Sequence, residues 1–312
     1  APVPPPGGGF YVTDPPMKLF AEYSAAGALV GTHAIAEGAI GIAVHTDGRI
    51  FISRDDGTIG VYSTAFAFLY TVNPAPLTLT GPNDLAFNSA SNELYAVDSG
   101  SNRVVVFVES TPETWSLARS WGTGGTTLGT FTAPQAIAID PVLGRVLVTD
   151  VDNFRVQVFD ATGIFLFKFG YRIMYLPTSE VAWFARSEGL AVDACGNIYV
   201  ADALMGTVRA FNSAGRELDT LHTPAVGYGT GPGQLREPCD LLINGGMLYV
   251  ASTNNAEVEV YTVACTGASA TAASEPREKF GRTVKEQRKR ETDRDDGSAP
   301  VRAGVPQMPD NP

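Results

Sequence analysis

The stretch that decides the fold is Val146-Leu147-Val148-Thr149-Asp150, followed by Asp152-Asn153 and then by Arg155-Val156-Gln157-Val158-Phe159. Both halves are rich in valine, and the second half alternates polar and apolar residues. A period of two with branched and aromatic residues is typical of half-buried strands and not of helices. The stretch therefore predicts two consecutive strands of one antiparallel sheet, joined by a short polar turn.

The same pattern recurs along the chain about every fifty residues. An apolar run precedes each strand pair, and successive runs begin 43, 52, 53 and 51 residues apart. The five runs begin at Gly41, Asp84, Ala136, Gly189 and Asp240. A repeat of this period is typical of solenoids and propellers.

Each repeat contains four strand-like segments, and residues 10–30 supply the second, third and fourth segments of one further unit. A four-stranded sheet has two apolar faces, and radial stacking of twisted sheets buries both. The sequence therefore predicts an all-β, six-bladed β-propeller of four-stranded antiparallel blades. Its first blade is incomplete at the N-terminus.

The turn between the second and third strands carries a motif that resembles a known family. Asp150, Asn153 and Arg155, with Gly163 after the third strand, are similar to the NHL repeat order of strand, Asp, Asn-x-Arg, strand and glycine turn. Residues 229–238 resemble the family's linker between blades. The resemblance covers roughly residues 10–263 and implies an NHL-repeat β-propeller.

The acid after the second strand recurs as Asp98 and Asp202, and it is replaced by Arg54 in the second unit and by Ser252 in the sixth. Because Asp98 with Arg103 and Asp150 with Arg155 recur in neighbouring units, we interpret these pairs as structural turn clamps. Pairs of this kind contribute little stability if they are exposed.

The ends of the chain differ in composition from the repeats. Residues 1–9 are rich in proline and glycine, residues 10–265 form the predicted propeller, and residues 266–312 mix basic and acidic residues with few apolar ones. Low hydrophobicity at high charge density predicts a disordered C-terminal tail. The prolines at positions 2 and 4–6 lie where an innermost strand should precede Phe10, yet proline donates no ladder hydrogen bond. Either the chain begins inside a repeat, or its C-terminal strands complete the first blade.

Charge and hydropathy limit the classes of partner. The formal charge is −11 and the pI is about 4.7, which opposes a nucleic acid ligand because phosphate binding needs a basic surface. No apolar run approaches the roughly 18 to 20 residues that a membrane helix needs, and no secretory leader is recognisable. We expect neither nucleic acid binding nor membrane insertion.

The three cysteines, Cys195, Cys239 and Cys265, form no C-x-x-C motif, so neither a zinc ribbon nor a redox dithiol is indicated. In a propeller, first and third strands of a blade run in the same direction. Cys195 and Cys265 should therefore share one face of the disc, and Cys239 should lie on the other. A Cys195–Cys265 disulfide between neighbouring units is the plausible pair, and it would require an oxidising compartment. We expect a secreted or cell-surface protein.

One face of a propeller presents the residues at the start of each innermost strand to the central channel. These positions hold Ile40, Asn83, Gln135, Glu188 and Cys239, and Asp84 and Asp240 follow two of them. Because this ring varies within a regular repeat, we predict that Asn83, Asp84, Gln135, Glu188 and Asp240 bind a ligand. A merely solvated channel lining is the alternative interpretation.

The family resemblance also bears on metals. The family includes amidating lyases that hold zinc through histidine at these ring positions, and none of the five residues here is histidine. The resemblance therefore implies no zinc site. The three histidines, His33, His45 and His222, fall on different parts of the predicted disc, too far apart to share one metal.

Residues 81–87 are similar to a strand of calcium-dependent gluconolactonase-like propellers, in which the asparagine is a metal ligand, although Asp84 stands where that family has glycine. This second resemblance implies Asn83, Glu188 and Asp240 as oxygen ligands for Ca²⁺ and a lactonase or esterase-like hydrolase.

The long connection between residues 171 and 187 carries Tyr175, Trp183 and Phe184 on the ligand-side face, as a lid or recognition loop or packed against the disc rim. From these features we predict a non-catalytic binding or scaffold propeller that recognises a protein, peptide or glycan through one face and needs no cofactor. The calcium-dependent hydrolase is the alternative, and the sequence leaves open whether the protein is an enzyme.

Overall fold

The computed structural model describes residues 8–25, 27–72, 77–171, 183–221, 234–255 and 257–263. The predicted tail, residues 266–312, lies outside these ranges. Within them the chain forms six antiparallel sheets, each built from consecutive strands. None of the helices in the described residues is long and apolar enough to cross a membrane. The prediction of an all-β, six-bladed propeller is confirmed.

The first three blades follow the predicted repeat. Blade 1 consists of β1 (Gly9–Asp14), β2 (Leu19–Ser24) and β3 (Leu29–Ala34). Blade 2 consists of β4 (Ala39–Val44), β5 (Ile50–Arg54), β6 (Ile59–Tyr62) and β7 (Phe68–Val72). Blade 3 consists of β8 (Pro82–Asn88), β9 (Glu93–Asp98), β10 (Arg103–Thr111) and β11 (Thr114–Trp121).

The remaining blades repeat the order. Blade 4 consists of β12 (Pro134–Ile139), β13 (Val146–Asp150), β14 (Arg155–Phe159) and β15 (Phe165–Phe169). Blade 5 consists of β16 (Ser187–Val192), β17 (Ile198–Asp202), β18 (Thr207–Phe211) and β19 (Glu217–Leu221). Blade 6 consists, in its described part, of β20 (Pro238–Asn244), β21 (Met247–Ser252) and β22 (Glu257–Thr262).

Six apolar clusters close the ring, one between each pair of neighbouring blades. The cluster between blades 1 and 6 brings Phe10 and Tyr23 against Tyr249 and Val258. The Phe10 and Tyr249 rings lie 4.6 Å apart. Side-chain packing between sheets therefore joins the first and last blades, with no strand exchanged between them in the described residues.

The acids after the second strands tie each blade to the segment that leads into its innermost strand. The Asp150 carboxylate is fully buried, accepts the Thr132 N–H at 2.7 Å and pairs with the Arg155 Nε at 2.7 Å. Asp98 is likewise buried, accepts the Thr80 N–H at 2.8 Å and pairs with Arg103 at 2.8 Å. The carboxylates of both pairs are therefore buried. Each one bridges its turn to an arginine and also holds the segment that leads into the innermost strand.

Candidate functional site

The innermost strands β4, β8, β12, β16 and β20 lie side by side in that order around the axis. Two cavities, of about 560 Å³ and about 130 Å³, occupy the space that they enclose. Asp84 and Asp240 line both cavities, so their carboxyl groups lie at the middle of a channel through the disc.

The larger cavity gathers the whole ring that the sequence predicts. Its lining includes the five predicted ligand residues, Asn83, Asp84, Gln135, Glu188 and Asp240. The Asn83 amide donates to the Gln135 carbonyl oxygen at 3.1 Å, which links blade 3 to blade 4. Glu188 is buried and pairs with Arg186 at 2.6 Å. The structure therefore places these residues together, and their role in binding stays a prediction.

Asp84 forms the second link between blades 3 and 4. Its Oδ1 accepts the N–H of Leu85 at 2.8 Å, and its Oδ2 accepts the N–H of Ile137 at 2.8 Å. Asp240 occupies the equivalent position in blade 6, and its Oδ1 accepts the N–H of Leu241 at 2.8 Å. One carboxylate thus fixes its own strand and the strand of the next blade.

The channel disfavours negative charge on these acids. Burial raises the pKa of Asp84 well above its usual range, and the nearby charge of Asp240 raises it further. The Asp240 side chain is exposed to the cavity, but protein surrounds it at the centre of the disc, and this desolvation raises its pKa to about 6. Burial also raises the pKa of Glu188, which the Arg186 guanidinium partly opposes. A cationic group entering the channel would relieve this repulsion.

The calcium site of the alternative hypothesis stays a prediction. Asn83, Glu188 and Asp240 line one cavity, where the Asn83 Nδ2 donates to Gln135 and leaves its Oδ1 as a possible ligand. Glu188, however, is paired with Arg186, and one Asp240 oxygen accepts the Leu241 N–H. In the part of the chain that the structure describes, no three His, Cys, Asp or Glu residues are grouped to hold a metal ion. Ca²⁺ takes six to eight oxygen ligands, so these three side chains alone would not complete its coordination.

The two described histidines, His33 and His45, lie away from the channel. The His33 ring stacks on Phe66 with 3.5 Å between ring centroids. His45 is buried between blades 2 and 3, where its Nε2 bonds to Asn92 at 3.0 Å and its Nδ1 accepts the Asp47 N–H at 3.1 Å. His222 lies outside the described residues. No nucleophile–histidine pair is present among the described channel residues.

The predicted recognition loop is corrected at Phe184. Its side chain is fully buried between blades 4 and 5 and contacts the Phe169 and Phe211 rings. Trp183 is partly buried, and the Arg209 guanidinium lies 5.4 Å from its ring centroid. Tyr175 lies outside the described residues. The Phe184 ring is therefore part of the apolar core between blades 4 and 5.

The cysteines divide into two chemical states. Cys195 is disulfide-bonded, whereas Cys239 carries a free thiol in the lining of the larger cavity. The predicted partner of Cys195, Cys265, lies outside the described residues, so the pairing stays a prediction. Burial raises the pKa of the Cys239 thiol to about 12. A thiol in this state is not a nucleophile at neutral pH.

The sequence did not predict the shape of the cavity at blade 1. That blade has no innermost strand in the described residues, and the larger cavity extends into the gap between β1 and blade 6. We call this gap the blade-1 slot and define it by Tyr11, Val12 and Thr13 on one side and by Leu242 and Tyr249 on the other. Two features of the sequence signal this gap, namely a first unit without its first segment and a proline-rich segment where an innermost strand should stand.

Comparisons with known proteins agree with the fold. Residues 131–159 match the family model described as NHL repeat, and this match and the six-bladed fold fit the NHL-repeat propeller family. A search of curated proteins finds no sequence match.

Solved structures of similar fold have diverse functions. A catalytically inactive virginiamycin B lyase from Staphylococcus aureus, solved with quinupristin, is 10% identical with a TM-score of 0.58, and the match covers 83% of this chain and 79% of that chain. A chain of a nidogen/laminin complex is 18% identical with a TM-score of 0.60, covering 82% and 89%. A protein of unknown function from Bacteroides thetaiotaomicron is 19% identical with a TM-score of 0.64, covering 82% and 67%. These similarities establish the fold alone.

Proposed function

We propose that the chain is a non-catalytic binding or scaffold propeller that recognises a protein, peptide or glycan through the face carrying Asn83, Gln135 and Glu188. The observation that carries this proposal is the cavity of about 560 Å³, whose polar and acidic ring leads into an apolar gap. Ligand sites are typically concave and mostly apolar with a few convergent polar groups. The similar fold of a chain from a nidogen/laminin complex supports a role in binding.

A ligand screen tests this function. The full chain is presented to a glycan array and to a display library of random octapeptides. We expect ligands whose binding is lost in a Gln135→Ala, Glu188→Ala double variant, because both side chains line the cavity. The matched control is Asp219→Asn on the outer strand β19, which should bind as the unmodified chain does. Ligands that bind all three proteins equally would place recognition elsewhere on the disc.

Calorimetric titration with Ca²⁺ and Zn²⁺ separates this function from the metal-dependent hydrolase. We expect no submillimolar binding, because Glu188 is neutralised by Arg186. Tight Ca²⁺ binding that is lost in an Asn83→Ala, Glu188→Ala variant, together with lactone or ester hydrolysis, would favour the enzyme and overturn our proposal.

We propose further that the protein is secreted or displayed at a cell surface. The disulfide at Cys195 supports this location, because disulfides persist in oxidising compartments. Mass spectrometry of material that is unfolded in denaturant and alkylated without reduction should find one modified cysteine, Cys239. Three modified cysteines would contradict both the disulfide and the location.

A further inference from the structure

The second strand of blade 1 has one edge that is not paired with any described strand. In blades 2 to 6 the second strand pairs with neighbours on both sides, an innermost strand and a third strand. Among the described residues β1 pairs only with β2. An open strand edge presents backbone N–H and C=O groups that another strand can pair with.

The burial of β1 agrees with a missing neighbour. All residues of β5, β13 and β17 are buried, whereas residues 11–14 of β1 are only partly buried. Yet β1 has the same order as β13, with Thr13 and Asp14 at the positions of Thr149 and Asp150. By sequence it is therefore a second strand, and the described residues contain no innermost strand that pairs with it.

Two side chains, Thr13 and Asp240, are placed to accept hydrogen bonds from such a strand. In blade 4 the Thr149 hydroxyl accepts the Ala136 N–H of the innermost strand at 2.8 Å, and Ser53 does the same for Gly41 at 2.7 Å. Thr13 is the equivalent in blade 1, where its hydroxyl donates to the Ile40 carbonyl at 2.7 Å and keeps a lone pair for an incoming N–H.

Asp240 is the second prepared acceptor. The equivalent acid, Asp84, accepts the N–H of Ile137 from the innermost strand of the next blade. For Asp240 the next blade is blade 1, so the corresponding N–H would have to come from a strand in the blade-1 slot. The hydrogen bond from the Ile137 N–H to Asp84 thus shows how Asp240 would accept an N–H from a strand in the slot.

The negative charge of the cavity favours a ligand with a basic side chain. Its lining contains five acidic side chains, Asp14, Asp84, Glu188, Asp240 and Glu257, and none of the described lining residues is Lys, Arg or His. The slot walls are largely apolar, with Tyr11, Leu242, Tyr249 and Val258. A strand with apolar side chains and one central basic residue matches both features.

We propose that the blade-1 slot binds an extended peptide segment of a partner protein as a sixth innermost strand, antiparallel to β1, with a lysine or arginine directed at Asp84 and Asp240. This inference rests on the proposed binding function and specifies its ligand class. Addition of a strand to an open edge obtains affinity from backbone hydrogen bonds and specificity from the side-chain pockets. The sequence of the partner segment would resemble the chain's own innermost strands.

Fluorescence anisotropy with a labelled nonapeptide tests the proposal. The probe copies residues 132–140, Thr-Ala-Pro-Gln-Ala-Ile-Ala-Ile-Asp, with lysine in place of the central alanine. We expect saturable binding that weakens about tenfold or more in Asp240→Asn, since a hydrogen bond to a charged group is lost. Aspartate in place of the probe lysine, or N-methylation of the following isoleucine, should weaken binding by a similar factor. The matched control is Asp219→Asn, which should bind the probe as the unmodified chain does.

Hydrogen exchange of β1 in the full chain provides a second readout. The β1 amides that point away from β2 should exchange rapidly in the free protein and slowly with the probe bound, whereas those bonded to β2 should exchange slowly in both. Slow exchange of the amides that point away from β2 in the free protein would mean that the chain's own residues already fill the slot, and this would overturn binding in trans.

The outcomes separate this inference from the function on which it rests. A probe that does not bind, or that binds Asp240→Asn and the N-methyl control unchanged, overturns the slot. If glycans or other peptides still require Gln135 and Glu188, the proposed function survives that failure. Metal-dependent hydrolysis would overturn the function itself.

Discussion

Blade 4 and blade 1 share one sequence pattern and differ in completeness. In blade 4, Asp150 accepts the Thr132 N–H, pairs with Arg155 and bonds to Asn153, so the innermost strand is fixed by buried polar contacts. In blade 1 the equivalent residue, Asp14, is partly exposed and accepts the Met17 N–H at 3.2 Å. Both blades nevertheless pack against two neighbours through apolar clusters. Packing between sheets thus closes the ring, while the polar contacts fix the innermost strands.

The largest expected effect comes from removing the acid of each blade. Asp150→Ala leaves the buried Arg155 guanidinium without its partner, which should lower the free energy of unfolding by about 3 to 5 kcal/mol. Asp14→Ala removes a partly exposed carboxylate and should cost about 1 kcal/mol or less. Urea unfolding followed by circular dichroism measures both. Equal losses would mean that blade 1 is held as blade 4 is.

A matched pair of valines sharpens the comparison. Val148 in β13 is fully buried between blades 3 and 4, and Val12 occupies the equivalent position in β1, where it is only partly buried. Val148→Ala should cost about 2 kcal/mol because a cavity remains, and Val12→Ala should cost less than about 1 kcal/mol. The same urea experiment measures the difference. A larger loss for Val12 would contradict an open slot.

Much of this contrast could be predicted from the sequence. Period-two alternation located the strands, the fifty-residue repeat gave the number of blades, and the recurring acid marked Asp98, Asp150 and Asp202. These features depend on residues that are close in sequence, and a repeat preserves the order of such residues. The partial first unit was also visible, because its three strand-like segments precede the first complete repeat.

The rest depends on contacts between distant segments. Phe184 lies next to Trp183 in a long connection, and only packing against Phe211 shows that it is a core residue. Asp84 and Asp240 are separated by 156 positions, and their electrostatic coupling exists only after the ring closes. Glu188 is a ring residue in the sequence, but the burial that raises its pKa depends on the strands that surround it in the closed ring. The sequence alone could not show which of these ring residues carry a raised pKa.

The smallest expected effect concerns Asp240, which faces the slot, in contrast to Asp84, which is satisfied by Ile137. A carboxyl whose pKa is raised on folding stabilises the fold while it is protonated, and this contribution is lost as pH rises. The pKa of Asp240 rises from 3.8 to about 6 on folding, so the contribution disappears between about pH 4 and pH 7. Asp240→Asn mimics the protonated form and lowers the repulsion on Asp84. The urea midpoint of this variant, relative to the unmodified chain, should therefore increase with pH across that window.

Asp219→Asn on β19 controls for the loss of one negative charge outside the channel. A midpoint difference for Asp240→Asn that stays constant with pH, or that shrinks as pH rises, would contradict a desolvated carboxyl at the axis. Repeating the titration with the lysine-containing probe bound adds a direct link to the slot. A cation beside Asp240 favours its ionised form, so the bound probe should shift the dependence towards lower pH and reduce its size. In blade 1 the bound probe would then supply the strand contacts that blade 4 receives from its own innermost strand.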